Sequence, residues 1–322
     1  MCRTRAVAAK SGWPRTPTRV RMRPVDPIFI LAAPFSGASF AAAILGQHPS
    51  LFAVPQLDLF MADYVGELLE IVDIGQGAHG DGLMRALAVL EFGGQDDDHI
   101  ERARRWLQSR ADVSTAEILH TLATMAAPRR LVVPDVETPL RTSDLLRLRT
   151  AAPRAEILQL LRHPYAQGLV QAAWLRERLF VPADFKDHSR QPPVIDPQLG
   201  WFRVHHNIER LLAHEAQIRI VRQRIEDIDV ASVASLHALC TALGLPAEDV
   251  ALAAMAQPDD WSFAGFGPPS APYGLEADVL ESITLPRRWD QTPRLEGVLP
   301  WRDDGCAFSP DLVELARDLG YA

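Results

Sequence analysis

Residues 26–39 read Asp-Pro-Ile-Phe-Ile-Leu-Ala-Ala-Pro-Phe-Ser-Gly-Ala-Ser, an apolar run that stops at a turn of small residues, and the helix-forming stretch Phe40-Ala-Ala-Ala-Ile-Leu-Gly46 follows at once. The order is strand, tight turn, helix. A turn of small residues at a helix N-terminus aims several free backbone N–H groups and the positive end of the helix dipole at one point, which is the physics of an anion cradle. The segment lacks the Gly-Lys-Ser/Thr ending of a Walker A loop, and a strand-to-helix turn in any α/β protein has a similar look. Its meaning therefore depends on the rest of the chain.

Short apolar runs recur at Leu131-Val-Val133 and Glu156-Ile-Leu-Gln-Leu-Leu161, each preceded by helix-like sequence. Apolar residues spaced by three and four predict helices near 64–72 and 81–90, and Ser114-Thr-Ala-Glu117 has the spacing of a capping box. Gly93-Gly-Gln-Asp-Asp-Asp98 reads as a breaker with an acidic turn before a helix, in preference to a metal site. These are βαβ signals. The expected fold class is α/β, a parallel sheet flanked by helices, in which ligands gather at the C-terminal ends of the strands. The strand ends at Pro34, Pro134 and Arg162 are expected to meet at one pocket.

Composition narrows the function classes. A chain of 322 residues with 48% hydrophobic and 23% charged residues is ordinary for a globular protein, and no run approaches the ~18 apolar residues of a membrane span. The net charge of −8 argues against a general nucleic-acid binder, which needs a basic surface. Cys2, Cys240 and Cys306 lie far apart and form neither a CxxC pair nor a Cys/His metal spacing, so no structural metal is expected and a reducing, cytoplasmic setting fits. Residues 1–26 carry seven basic residues against the single acid Asp26, with prolines at 14, 17 and 24. That stretch reads as a basic, disordered arm before a domain at 27–322; it is either a solvated tail or a contact for an acidic partner such as a carrier protein.

Further motifs lie in register with the opening loop: Gln47-His-Pro-Ser-Leu-Phe-Ala-Val-Pro-Gln-Leu-Asp-Leu-Phe60, Leu160-Leu-Arg-His-Pro-Tyr165, Trp201-Phe-Arg-Val-His-His-Asn-Ile208, Arg224-Ile-Glu-Asp227 with Leu243-Gly-Leu-Pro246, and the closing Leu315-Ala-Arg-Asp-Leu-Gly-Tyr321. In this order they resemble the bacterial sulfotransferases that use 3′-phosphoadenosine 5′-phosphosulfate (PAPS), in particular those of polyketide and peptide assembly lines. The resemblance implies a P-loop-like sulfotransferase fold and transfer of a sulfonate to a hydroxyl of a small-molecule or carrier-bound natural product, with no nucleic-acid or membrane partner. It places the PAPS phosphosulfate on Ser36, Gly37, Ala38 and Ser39, and the 3′-phosphate on Arg162. His205 falls where the family's acceptor-facing histidine stands, and Asp58 lies in the segment that carries the family's candidate base.

The likeness fails at several ligand positions. Phe35 stands for the loop arginine, Glu137 of Pro134-Asp-Val-Glu-Thr-Pro139 for a lysine, Val170 for a serine beside the 3′-phosphate, and Gln56 for a glutamate. An anion in place of a cation beside a phosphosulfate is unfavourable, and Gln56 cannot take a proton at neutral pH. Three readings stay open: PAPS-dependent sulfation; a repurposed pocket in which His205 and Asp58 perform acid–base chemistry such as dehydration, cyclisation or chain release; and a non-catalytic binding protein. His205 itself reads either as a general base or as a core helix histidine, with His206 exposed beside it.

Overall fold

The computed structural model describes residues 26–74, 79–179, 181–212, 217–283 and 293–322. The predicted basic arm lies outside the described residues except for Asp26, whose backbone carbonyl accepts from Arg130 Nε at 2.6 Å and whose carboxylate accepts from Arg154 Nε at 3.2 Å.

The parallel strand β1 (Ile28–Ala32) is fully buried along all five residues, which explains its unbroken apolar sequence: both faces are covered, so no alternation is needed. Beside it lie β2 (Leu51–Ala53), β3 (Arg130–Asp135) and β4 (Glu156–Leu161); a short antiparallel hairpin, β5 (Lys186–Asp187) with β6 (Val194–Ile195), stands apart, and β7 (Arg219–Arg224) closes the main sheet. The order is β2-β3-β1-β4-β7, with every neighbouring pair parallel. Leu31 is level with Asp135 and Gln159, and Gln159 is level with Arg222, so these four side chains share one face of the sheet.

The helices are α1 (Ala38–Gly46), α2 (Val65–Ile74), α3 (Asp81–Leu87), α4 (Asp97–Gln108), α5 (Thr115–Ala126), α6 (Thr142–Ala151), α7 (Pro164–Arg176), α8 (Gln198–Leu211), α9 (Val233–Ala242), α10 (Asp249–Met255) and α11 (Pro310–Asp318). The capping box at α5 forms as expected, with Ser114 accepting from the Glu117 amide and Glu117 accepting from the Ser114 amide. Asp96 caps α4 by accepting from the His99 amide at 3.0 Å, so the acidic turn serves a helix terminus. The helix expected over 81–90 departs from α geometry after Leu87 and continues as a wider turn at Ala88–Phe92.

From β1 the chain crosses through α1 toward β2, whereas from β4 it proceeds toward β7 on the other side. The ends of β1 and β4 therefore flank the point where the winding direction reverses, the crevice in which open α/β sheets place ligands. The loop after β1 and Arg162 after β4 meet there.

Candidate functional site

Loop 34–39 has the backbone of an anion cradle. Gly37 takes the N-cap position of α1 at φ +85°, a left-handed conformation open to glycine, and no side chain of the loop caps the helix. Phe35 also lies at positive φ (+64°), and its ring packs on Trp174 of α7 with centroids 5.3 Å apart. The aromatic ring is thus spent on packing at the position where the family carries its arginine.

The donors of the cradle are engaged by the chain itself. Ser36 N and Ser39 N donate to the two carboxylate oxygens of Glu276 at 3.1 and 2.9 Å, and Ser39 Oγ accepts from the Glu276 amide at 2.9 Å. A carboxylate delivered from 237 residues away in sequence caps α1. Arg162 is buried. Its guanidinium donates to the carbonyl of Phe35 and lies 3.7 Å from Asp278, while Trp201 Nε1 holds its backbone carbonyl at 2.9 Å. Burial and the neighbouring Asp278 push the Glu276 carboxyl upward, against the pull of the Ser39 and Gly37 amides and of Arg162. Burial lowers Arg162, opposed by Asp278 and Glu276. With these donors taken and Phe35 and Glu137 at the cation positions, the residues present do not fit a phosphosulfate.

The segment that brings these acids, 273–280, crosses the strand ends as a strap. Gln56 N donates to Gly274 O at 2.9 Å, and Tyr273 N donates to the Asp81 carboxylate at 3.0 Å. Gly274 stands at φ +107°, and a Cβ there would come within 2.6 Å of Gly82 Cα; a Cβ on Gly82 would lie 1.9 Å from Gln56 O. Only two glycines allow that approach. Arg85, nearly fully buried, donates to the carbonyls of Phe263, Gly265 and Tyr273 and so ties the preceding loop to α3.

A second cluster gathers at the ends of β2 and β3. Asp58, buried and at φ +54°, accepts from Gln56 Nε2 at 2.6 Å and from Gly80 N at 3.4 Å, and lies 3.4 Å from Nδ1 of the partly exposed His79. That contact raises the His79 pKa, chiefly through the hydrogen bond to Asp58. Glu137 is raised by burial and by Asp58, with His79 and Arg141 opposing. Asp135 is pushed up to about 7 by burial and Asp58, although its carboxylate accepts from the amides of Glu137 and Thr138. Asp58 and His79 form an oriented pair of the kind in which a carboxylate fixes an imidazole.

His205 sits elsewhere. It is fully buried on α8 against Trp201, its Nδ1 is 3.4 Å from Gln159 Nε2, and its Nε2 has no hydrogen-bond partner among the described residues. Burial drops its pKa to about 3, so it is neutral throughout the physiological range. Its neighbour His206 is exposed and stacks on Phe202. Of the residues singled out in the sequence, Ser36, Gly37, Ala38, Ser39 and Arg162 meet at one point, Asp58 joins the second cluster, and His205 joins neither set by a direct contact. Glu276, Asp278 and His79 had no sequence signal beyond an acidic pair in a loop and a histidine near a glycine.

A family model described as the sulfotransferase family matches residues 27–249. Among solved structures, the sulfotransferase domain of the Synechococcus PCC 7002 olefin synthase superposes with a TM-score of 0.64 at 23% identity, covering 97% of this chain and 99% of that one. The sulfotransferase domain of the curacin biosynthetic pathway gives 0.63 at 20%, over 94% and 99%. No curated protein matches the sequence. The loop after β1, the arginine after β4 and a family model spanning both establish that the chain belongs to the sulfotransferase family.

Proposed function

We propose that this protein is a sulfotransferase-family enzyme that acts on a hydroxyl-bearing, carrier-linked natural-product substrate by acid–base chemistry, without PAPS. The observation that carries this reading is the Glu276 carboxylate on the amides of Ser36 and Ser39, which fills the place a transferable sulfonate would need. The likeness of fold to the two assembly-line sulfotransferase domains supports the substrate class.

In this reading the Asp58 carboxylate accepts a hydrogen bond from Nδ1–H of His79, which leaves Nε2 free to take a proton from the substrate, and the resulting imidazolium stays paired with the carboxylate. Glu137, held protonated to higher pH than a free carboxyl, supplies the acid partner for a leaving hydroxyl or carrier group. Such pairing of a base and an acid suits dehydration, cyclisation or chain release. The test is mass spectrometry of a hydroxyl-bearing acyl chain on its carrier, incubated with the full-length protein with and without PAPS. Loss of water or of the carrier, independent of PAPS and abolished in Asp58→Asn, is expected; transfer of sulfonate from PAPS to the hydroxyl would overturn the reading.

A further inference from the structure

Glu276 meets its two amides in the way a bound oxyanion meets a helix N-terminus, with one oxygen on each donor. Yet a planar carboxylate is an incomplete guest for this loop. The hydroxyl of Ser36, a fully buried residue, has no partner among the described residues, and neither has the Gln171 Nε2 donor; Gln171 lies beneath the loop, accepting from the Gln167 side-chain amide that also donates to Pro34 O at 2.7 Å. Asp278 faces Arg162 at 3.7 Å, a longer contact than the bonds Glu276 makes with the loop amides. A tetrahedral anion points its four oxygens in more directions from one centre than the planar Glu276 carboxylate does at the loop. The strap is also fastened outside the cradle, through Gln56, Asp81 and Arg85, so removal of the two acids leaves it anchored.

We propose that Glu276 and Asp278 are a tethered anion that competes with free tetrahedral oxyanions for loop 34–39 and Arg162, and that the loop remains a working oxyanion receptor held shut by its own strap. Departure of the chain from the cofactor use of its family then lies in the occupant, with the receptor retained. The inference shares its starting observation with the proposed function but reads the cradle alone, so it is tested by binding and not by turnover.

The test titrates the full-length protein with inorganic phosphate, by calorimetry and by thermal melting, and repeats the titration with adenosine 3′,5′-bisphosphate. Glu276→Ala/Asp278→Ala is expected to bind phosphate at least about tenfold more tightly than the wild type, and Arg162→Ala in that background is expected to reverse the gain. A bisphosphate gain equal to the phosphate gain identifies the oxyanion alone as the ligand, and a larger one adds a nucleoside contact; both support the proposal. Equal phosphate affinity in wild type and variant, or a folded double variant that binds no phosphate, overturns it. Should the double variant fail to fold, Glu276→Gln keeps the shape and removes the charge. A gain in the same direction is expected there, and no gain overturns the proposal. Failure of this titration leaves the turnover test at Asp58 and His79 standing, and the reverse also holds.

Discussion

At the ends of β1 and β4, cationic and N–H donors meet acids of their own chain: the amides of Ser36 and Ser39 hold Glu276, and Arg162 faces Asp278. A few strands away, at the ends of β2 and β3, the balance is inverted, for Asp58, Asp135 and Glu137 crowd one another, and Asp58 and Glu137 act on His79. Raised carboxyl pKa values occur in both, but the first region is internally neutralised and closed, whereas the second keeps a partly exposed imidazole. The difference teaches that an anion loop survives wherever a helix N-terminus needs an acceptor, whoever supplies it, whereas a perturbed carboxyl beside a partly exposed histidine marks the place where chemistry is still poised.

The largest effect expected is on turnover at the second region. His79→Ala should lower it by about 10²–10⁴ with a melting temperature close to wild type, because the imidazole is partly exposed; Asp58→Asn should lower it to a similar extent and, since Asp58 is buried and bonded to Gln56 and Gly80, with a fall in melting temperature as well. Unchanged turnover in a folded variant would erase the contrast between the regions. Next, Gly274→Ala should destabilise by about 2–4 kcal/mol in urea titrations, since a Cβ meets Gly82 at 2.6 Å and φ is +107°. A silent Gly274→Ala would show that the strap is loosely laid.

A smaller effect concerns protons. His205 and His163 are buried neutral, with pKa values dropped to about 3 and about 4. Their folded values lie below the unfolded value of about 6.5, so the stability they carry is complete above that pH and is lost as the pH falls toward the folded values. Between pH 8 and pH 5 each should remove about 2 kcal/mol, opposed by Asp135 and Glu276, whose raised carboxyl pKa values make stability grow as the pH falls; the readout is therefore the difference in urea midpoint between wild type and His205→Gln, which should move in favour of the variant by about 2 kcal/mol from pH 8 to pH 5. A slope unchanged in His205→Gln would mean that this histidine reaches water after all. The smallest effect belongs to the cap: Glu276→Ala should lose about 1 kcal/mol at pH 8, because the lost helix cap is partly offset by relief of a buried charge.

Much of the fold was legible in local sequence. The apolar run at 28–32, the small-residue turn and the capping box at Ser114 each specify structure through neighbours within a few positions, and all three form. β2 was not legible, being three residues long, and β7 reads Arg-Ile-Val-Arg-Gln-Arg, a polar edge strand with no buried residue that is specified by its pairing with β4. At the site, Arg162 and the loop were visible because strand ends in a parallel sheet converge by topology. His205 shows the limit of motif reading: the motif pointed to an acceptor-facing base, but on α8 the residue is fully buried against Trp201, and burial leaves it neutral.

By itself, then, the sequence determined the parallel α/β layout, the strand–turn–helix cradle and the loss of cationic side chains at 35 and 137, since these depend on residue type and short-range periodicity. Only the tertiary structure decided what fills the cradle and what His79 touches. Glu276 is 237 residues from Ser39, and Asp58 is brought to the partly exposed His79 at the start of α3, where it also accepts from the Gly80 amide. Contacts of that range are set by how the strap and the strand ends pack in space, a relation that no local pattern of side chains encodes.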